Sequence, residues 1–275
     1  MCRLFIYFGD SINFKEILFS QKHSIIKQSY MKTYTPFLNI PNIRDHEFNV
    51  DGFGIAWYFD NSKNPCLYTS TKPPWNDINI KRLSKYLSSK LIFGHVRAIK
   101  PFSKSLVHEY NCHPFQYKNF LFMHNGDIKN FDFYRKNVIG ILKNDVYKII
   151  KGNTDSEYAF ALFLNILDDK IFKNGGYIKD IGVFRNLINN LINSLLKICN
   201  DTCMSLNFGI TDGNTIICTR FLNCKDEEPP SIHYKTYNNN IMISSEPIDY
   251  DDDWTVLGKN KMLIYSNNKI IIYNL

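Results

Sequence analysis

Four short apolar runs, Cys2–Phe8, Phe53–Phe59, Leu91–Arg97 and Phe120–His124, are rich in β-branched and aromatic side chains and are closed by Gly or polar residues. Runs of that length and composition predict buried strands. The period then changes in mid-chain. Tyr158, Phe160, Ala161, Phe163, Leu164 and Leu167 share one helical face and predict a helix over Asp155–Leu167. Phe184, Leu187, Ile188, Leu191, Ile192, Leu195 and Leu196 predict a second over Val183–Cys199. The last third returns to strands. Met204–Thr211 and Thr215–Phe221 flank Asp212-Gly213-Asn214, and Met262–Ser266 and Lys269–Tyr273 flank Asn267-Asn268, so both pairs read as hairpins. Strands, then helices, then strands predicts an α+β layered fold with antiparallel sheets rather than a doubly wound parallel one. Lys72–Trp75 and Asp226–Pro230 read as surface loops.

Composition narrows the function classes. The 275 residues are 44% hydrophobic and 15% aromatic, ample for a large core. A net charge of +7 raises nucleic acid as a partner, yet Lys and Arg are scattered with no run of five, which predicts a solvated surface and no nucleic acid. The seven cysteines lack CxxC spacing, which argues against a disulfide framework or a zinc ribbon and for a reducing, cytoplasmic setting. Cys112, Cys199 and Cys203 are expected to be free thiols used in packing. The apolar stretch in CRLFIYFG is too short for a signal-peptide core, and no 18-residue apolar run exists, so neither export nor a membrane span is expected.

Three constellations and one terminal residue could carry chemistry. Cys2 follows the initiator Met1, and removal of Met1 would put a thiol and a free α-amine on one residue. An α-amine with a reference pKa of about 7.7–8.0 can shuttle protons for the nucleophile it is attached to. Asn125-Gly126 follows an apolar strand. It can be a plain turn, or it can supply a carboxamide N–H and a backbone N–H to a developing oxyanion. Arg97 ends another strand, where its guanidinium can form a surface ion pair or grip a carboxylate bidentately. Thr154 and Glu157 have capping-box spacing, with Asp155 between them either serving the helix dipole or receiving a substrate ammonium group. His113, in Asn111-Cys112-His113-Pro114-Phe115, reads as a structural histidine.

Taken in order, MCRLF, DGFGIAWY, FGHVRA, NCHPF, FMHNGDI, GNTDSE and ISSEP resemble the motifs of class II glutamine amidotransferases of the N-terminal-nucleophile superfamily. The likeness is strongest to a short branch that includes glutathione-degrading members and the γ-glutamyl hydrolase of ergothioneine synthesis. The resemblance implies one domain over residues 1–275 with a four-layer αββα sandwich. It implies Cys2 as nucleophile, Asn125 and Gly126 as oxyanion hole, Arg97 as clamp for the substrate α-carboxylate and Asp155 as partner of its α-ammonium. It implies no cofactor and no metal. The expected activity is hydrolysis of a γ-glutamyl amide, in glutamine, glutathione or a related compound, through a Cys2 thioester. A glutaminase subunit feeding ammonia to a separate synthetase chain and a catalytically silent scaffold subunit are the alternatives. A partner peptidase is a further possible associate.

Overall fold

Leu4, Phe5, Ile6 and Tyr7 are all buried, so the first strand hides both of its faces and its sequence is continuously apolar rather than alternating. The computed structural model describes residues 2–31, 48–60, 62–99, 104–173, 175–225, 227–249 and 251–275. Among the described residues thirteen strands are formed: β1 (Arg3–Asn13), β2 (Phe53–Trp57), β3 (Cys66–Ser70), β4 (Ser88–Val96), β5 (Phe115–Tyr117), β6 (Phe120–Ile128), β7 (Met204–Thr211), β8 (Ile216–Arg220), β9 (His233–Tyr237), β10 (Asn240–Ser244), β11 (Thr255–Val256), β12 (Lys261–Ser266) and β13 (Lys269–Asn274). All pairings between them are antiparallel. Met1 lies outside the described residues.

The backbone forms two compact units, Met1–Pro114 with Ser231–Leu257, and Phe115–Pro230 with Gly258–Leu275. The first carries a seven-stranded sheet in the order β11-β9-β10-β1-β4-β2-β3. A π-helical turn over Lys15–Ser20 and two short helices, α1 (Ile25–Gln28) and α2 (Ile78–Leu83), cover one face of it. Ile17, Leu18, Ile25, Ile26 and Ile80 pack there on Phe5 and Tyr7 of β1 and on Ile92 and Val96 of β4. α2 starts where it does because the Asp77 carboxylate accepts the N–H groups of Asn79 and Ile80.

The second unit holds a six-stranded sheet in the order β13-β12-β8-β7-β6-β5. Its helical layer consists chiefly of α3 (Phe131–Ile141), α5 (Asp155–Ile166) and α7 (Ile181–Ile198), with the shorter α4 (Asn144–Tyr147) and α6 (Asp169–Lys173) between them. Phe122 of β6 stacks on Phe160 of α5 at 5.2 Å between ring centroids, and Phe120 meets Phe163 edge-on at 5.8 Å. Such pairs contribute about 0.5–1.5 kcal/mol beyond their burial. α7 buries Phe184, Leu187, Ile188, Leu191, Ile192 and Leu195, the stripe its sequence predicts, and Asp180 caps its start by accepting the Gly182 N–H at 2.7 Å.

The expected α+β antiparallel arrangement and both hairpins are present, and several details differ: β1 runs on to Asn13, and β3, β5, β9, β10 and β11 are additional strands. β6 continues through Asn125 and Gly126 to Ile128 instead of ending at His124, since β7 offers partners along its whole length. α3 adds a further substantial helix beyond the two expected. Further hairpins join β2 to β3, β5 to β6 and β9 to β10, the last through Asn238-Asn239, both at positive φ, as are Asn267 and Asn268 in the expected one. Asn tolerates that conformation better than other non-glycine residues, which suits two-residue turns.

The expectation for the cysteines is corrected at one pair. Cys203 and Cys224 form a disulfide, whereas Cys2, Cys66, Cys112, Cys199 and Cys218 are free. The β7–β8 hairpin pairs Thr211 with Ile216 and Gly209 with Cys218, and its register, carried through the Ser205–Leu222 bridge, sets Cys203 directly across from Cys224. Among the described residues no helix is long and apolar enough to cross a membrane.

Candidate active site

In the first unit β1 lies against β4 with Arg3 opposite Val96, which brings Cys2 alongside Arg97 just past the end of the ladder. The Cys2 sulfur accepts the Ala98 N–H at 3.4 Å and can donate to the Ala98 carbonyl at 3.6 Å. Arg97 is fixed through its backbone: its N–H donates to Gly52 O at 2.8 Å, and its carbonyl accepts the Asp51 N–H at 3.2 Å. The Asp51 carboxylate then accepts the Ile99 N–H at 2.7 Å, closing the turn that presents Ala98 to Cys2. Asp51 is a residue the sequence analysis did not single out, although it opens the DGFG motif.

The Arg97 side chain is buried, and its guanidinium donates from Nη1 to Leu106 O at 2.9 Å and to Asp51 O at 3.4 Å. From Nη2 it also donates to Ser105 Oγ. The fork therefore faces oxygen acceptors from the 104–107 segment, as it would face a carboxylate. Gly52, at φ +109°, allows this packing, since a β-carbon there would lie 2.5 Å from Cys112 Sγ and 2.9 Å from Ser70 O. Burial pushes the Cys112 thiol up to about 11, against the opposite pull of the Arg97 cation.

In the second unit Asn125 and Gly126 sit inside β6, opposite Asn207 and Leu206 of β7. Phe122 and His124 turn toward α5, so alternation along the strand points Asn125 to the other face of the sheet. Asn207 is itself anchored, donating from Nδ2 to Pro230 O at 2.7 Å. The plain-turn reading of Asn125-Gly126 does not hold, because both residues are paired strand residues.

Asp155 begins α5 and ties it to the same strand. Its Oδ2 accepts the Ile128 N–H at 2.9 Å, and its Oδ1 accepts the Ser156 N–H at 2.8 Å. Ser156 Oγ meets His124 Nδ1 at 2.9 Å, and His124 Nε2 reaches Ser205 O at 2.9 Å. A carbonyl can only accept, so Nε2 donates to Ser205 O, while Ser156 Oγ lies within hydrogen-bond distance of both His124 Nδ1 and, at 3.2 Å, Asp155 Oδ1. His124 and Ser156 are thus built into this corner, and neither was singled out from sequence.

The capping box is half formed. Thr154 Oγ1 accepts the Glu157 N–H at 3.2 Å, but the Glu157 carboxylate turns to the N–H groups of Lys151 and Gly152, at 2.8 and 2.7 Å. Burial raises the Glu157 pKa, opposed by those two backbone hydrogen bonds. Of the predicted residues, the structure brings Cys2 to Arg97 within the first unit, and Asn125, Gly126 and Asp155 together within the second.

Comparison with known proteins decides the family. The family model for class II glutamine amidotransferases matches residues 42–220. The chain belongs to the class II glutamine amidotransferases. It is 31% identical to a Saccharomyces cerevisiae protein described as "Probable glutamine amidotransferase DUG3", over 99% of this chain and 84% of the yeast protein. Among solved structures, a protein of Silicibacter pomeroyi described as a "glutamine aminotransferase class-II domain protein" superposes with a TM-score of 0.68 at 24% identity, covering 99% of both chains. The glutamine phosphoribosylpyrophosphate amidotransferase of B. subtilis gives 0.58 at 15% identity, over 99% of this chain and 49% of that one.

For this amidotransferase the expected α+β fold is the fold its solved neighbours share. His113 is buried, ring-to-ring with His95 at 4.1 Å, a packing position in keeping with a structural histidine.

Proposed function

We propose that this amidotransferase hydrolyses a γ-glutamyl amide with Cys2 as nucleophile. The Cys2 thiolate attacks the γ-carbonyl, and the α-amine of Cys2, free once Met1 is removed, takes the thiol proton and later gives it to the leaving nitrogen. The oxyanion is held by the Asn125 carboxamide and the Gly126 N–H, and water then releases glutamate from the γ-glutamyl thioester. Arg97 receives the substrate α-carboxylate in place of its present oxygen partners, and Asp155 receives the α-ammonium group.

The observation that supports this reading most is the Cys2 sulfur held on the Ala98 amide immediately beyond Arg97. A thiol resting on a backbone N–H has a donor ready for its anion, and the neighbouring fork already prefers oxygen. The test is glutamate release from glutamine, glutathione, other γ-glutamyl compounds and N-acetylglutamine, by the parent, by Cys2→Ser and by a form with one residue added before Cys2. Release by the parent alone, with N-acetylglutamine untouched, is expected. Equal turnover by the extended form would overturn the role of the terminal amine. If glutamine alone is hydrolysed, the isolated chain frees ammonia under either reading, and a synthetase chain that co-purifies and captures that ammonia is what separates a subunit from a hydrolase.

A further inference from the structure

The segment after β10 contains a buried charge cluster that none of the proposed chemical steps uses. Glu246 is 2% exposed, and its Oε1 accepts both Nε and Nη2 of Arg3, at 2.7 and 2.6 Å. Its Oε2 meets His23 Nε2 at 2.8 Å, and its backbone carbonyl accepts Gln28 Nε2 at 3.1 Å. The remaining arm of the Arg3 guanidinium, Nη1, donates to the carbonyl of Cys2 at 3.1 Å. The next residue is gripped too: the Leu4 N–H donates to Ser245 Oγ and the Leu4 carbonyl accepts the Ser245 N–H, both at 3.0 Å.

Stability does not account for this choice of residues. A buried ion pair is often matched or exceeded by apolar residues of the same volume, because desolvation offsets the Coulomb gain. What a fork on a carboxylate supplies is fixed direction. Here the direction is delivered to the backbone of the residue that bears the nucleophile.

We infer that Glu246 is a positioning residue: through Arg3 it fixes the Cys2 carbonyl, and with it the torsions that aim the Cys2 thiol and amine. The inference rests on the proposed role of Cys2. A residue that begins the mature chain is tethered on one side only and otherwise frays. Cys2 is held from two directions instead, by Arg3 at its carbonyl and by Ala98 at its sulfur. Since a misplacement of ~1 Å can cost about a hundredfold in rate, such a tether has a direct kinetic consequence.

The experiment compares Glu246→Gln, Arg3→Lys and the neutral double variant Arg3→Met/Glu246→Gln. A control is Glu228→Gln, which removes the half-exposed ionic partner of the buried Arg220, in the other compact unit, while Arg220 keeps the Pro229 and Pro230 carbonyls. Two readouts are taken on each folded variant: kcat and KM for glutamate release, and the rate at which iodoacetamide alkylates Cys2 without substrate. Expected are a fall in kcat of at least about tenfold with little change in KM, and a change of several-fold in Cys2 alkylation, for all three Arg3 or Glu246 variants. The double variant recovers thermal stability and not kcat, and the control keeps both readouts. Recovery of kcat in the double variant, or parental alkylation rates in Glu246→Gln, would show the cluster to be structural only. If the parent releases no glutamate from any substrate, the proposed function fails, and the alkylation rates still decide the tether.

Discussion

A β-carbon on residue 126 would stand 1.8 Å from the carbonyl oxygen of Ser205. That oxygen cannot easily retreat, because His124 Nε2 also holds it and β7 is paired on both sides, with β6 and β8. Gly126→Ala therefore forces β6 from β7 where the oxyanion donors are proposed. Overpacking of this kind costs roughly 1–3 kcal/mol, occasionally more. We expect a lowered denaturation midpoint together with loss of glutamate release, and a variant matching the parent in both would show that the strands part freely.

Truncation of Asn125 should behave differently. Its side chain lies on the sheet face away from the Phe122–Phe160 stack, so Asn125→Ala leaves the aromatic core as it is. Loss of one oxyanion donor typically costs about 2.7–4 kcal/mol, or on the order of a hundred- to a thousand-fold in kcat. The expected result is a melting temperature near that of the parent with turnover reduced to that extent. Normal turnover would remove Asn125 from the site.

Strands β1, β2, β4, β6, β7, β8, β12 and β13, the two long helices and the antiparallel class were legible because they rest on local periodicity. Phe120 and Phe122 read as strand and Phe160 and Phe163 as helix long before their rings meet. The chain was less informative where structure depends on a partner far along it. β6 extends past Asn125-Gly126 only because β7, some eighty residues later, supplies matching backbone groups, so a turn signal was outvoted by a ladder. Asp51, Glu246 and Arg3 lie inside the DGFG, ISSEP and MCRLF segments, but nothing in those segments says what each side chain bonds to. Their roles come from single long-range hydrogen bonds, such as Asp51 to the Ile99 amide, which no spacing announces.

Asp155 has two duties that one substitution can separate. Its carboxylate accepts the Ile128 and Ser156 N–H groups, which a carboxamide oxygen can partly replace, but only the carboxylate carries the charge proposed to receive a substrate ammonium group. Asp155→Asn should thus remain folded while KM for glutamine rises about tenfold or more, corresponding to ~1.4 kcal/mol or more of lost charged interaction. Unchanged KM with reduced thermal stability would leave Asp155 a purely structural cap.

The Cys203–Cys224 disulfide spans a sequence separation of 21 residues, and closing a loop of that size is worth about 3 kcal/mol in the chain-entropy model. It lies at the open end of the β7–β8 hairpin, where the Lys129 N–H donates to Cys203 O at 3.0 Å just beyond β6. Thiol counting on unfolded, non-reduced protein should find five free cysteines, rising to seven after reduction. Cys203→Ser/Cys224→Ser should lower stability by an amount of that order. A count of seven before reduction would contradict the bond.

The five free thiols divide by burial, and the division is testable through pH. Burial raises Cys112 and Cys199 to about 11 and Cys218 to about 12 from an ordinary value of 9.0, whereas Cys2 and Cys66 are partly exposed. Only the thiolate reacts with iodoacetamide, so brief labelling at about pH 8 should reach Cys2 and Cys66 and spare the other three. A bound γ-glutamyl substrate should then protect Cys2 and leave Cys66 reactive. The same shifts fix the sign of the alkaline stability change. A thiol whose folded pKa lies above its unfolded one keeps its proton longer in the native state, so its contribution is complete below 9.0 and is lost as pH climbs through about 11. Denaturation midpoints measured from pH 8 upward should fall across that window together with the first labelling of Cys112. Labelling of Cys112 at pH 8 in native protein would mean that the corner beneath Gly52 opens to solvent, and the packing described around Arg97 would have to be redrawn.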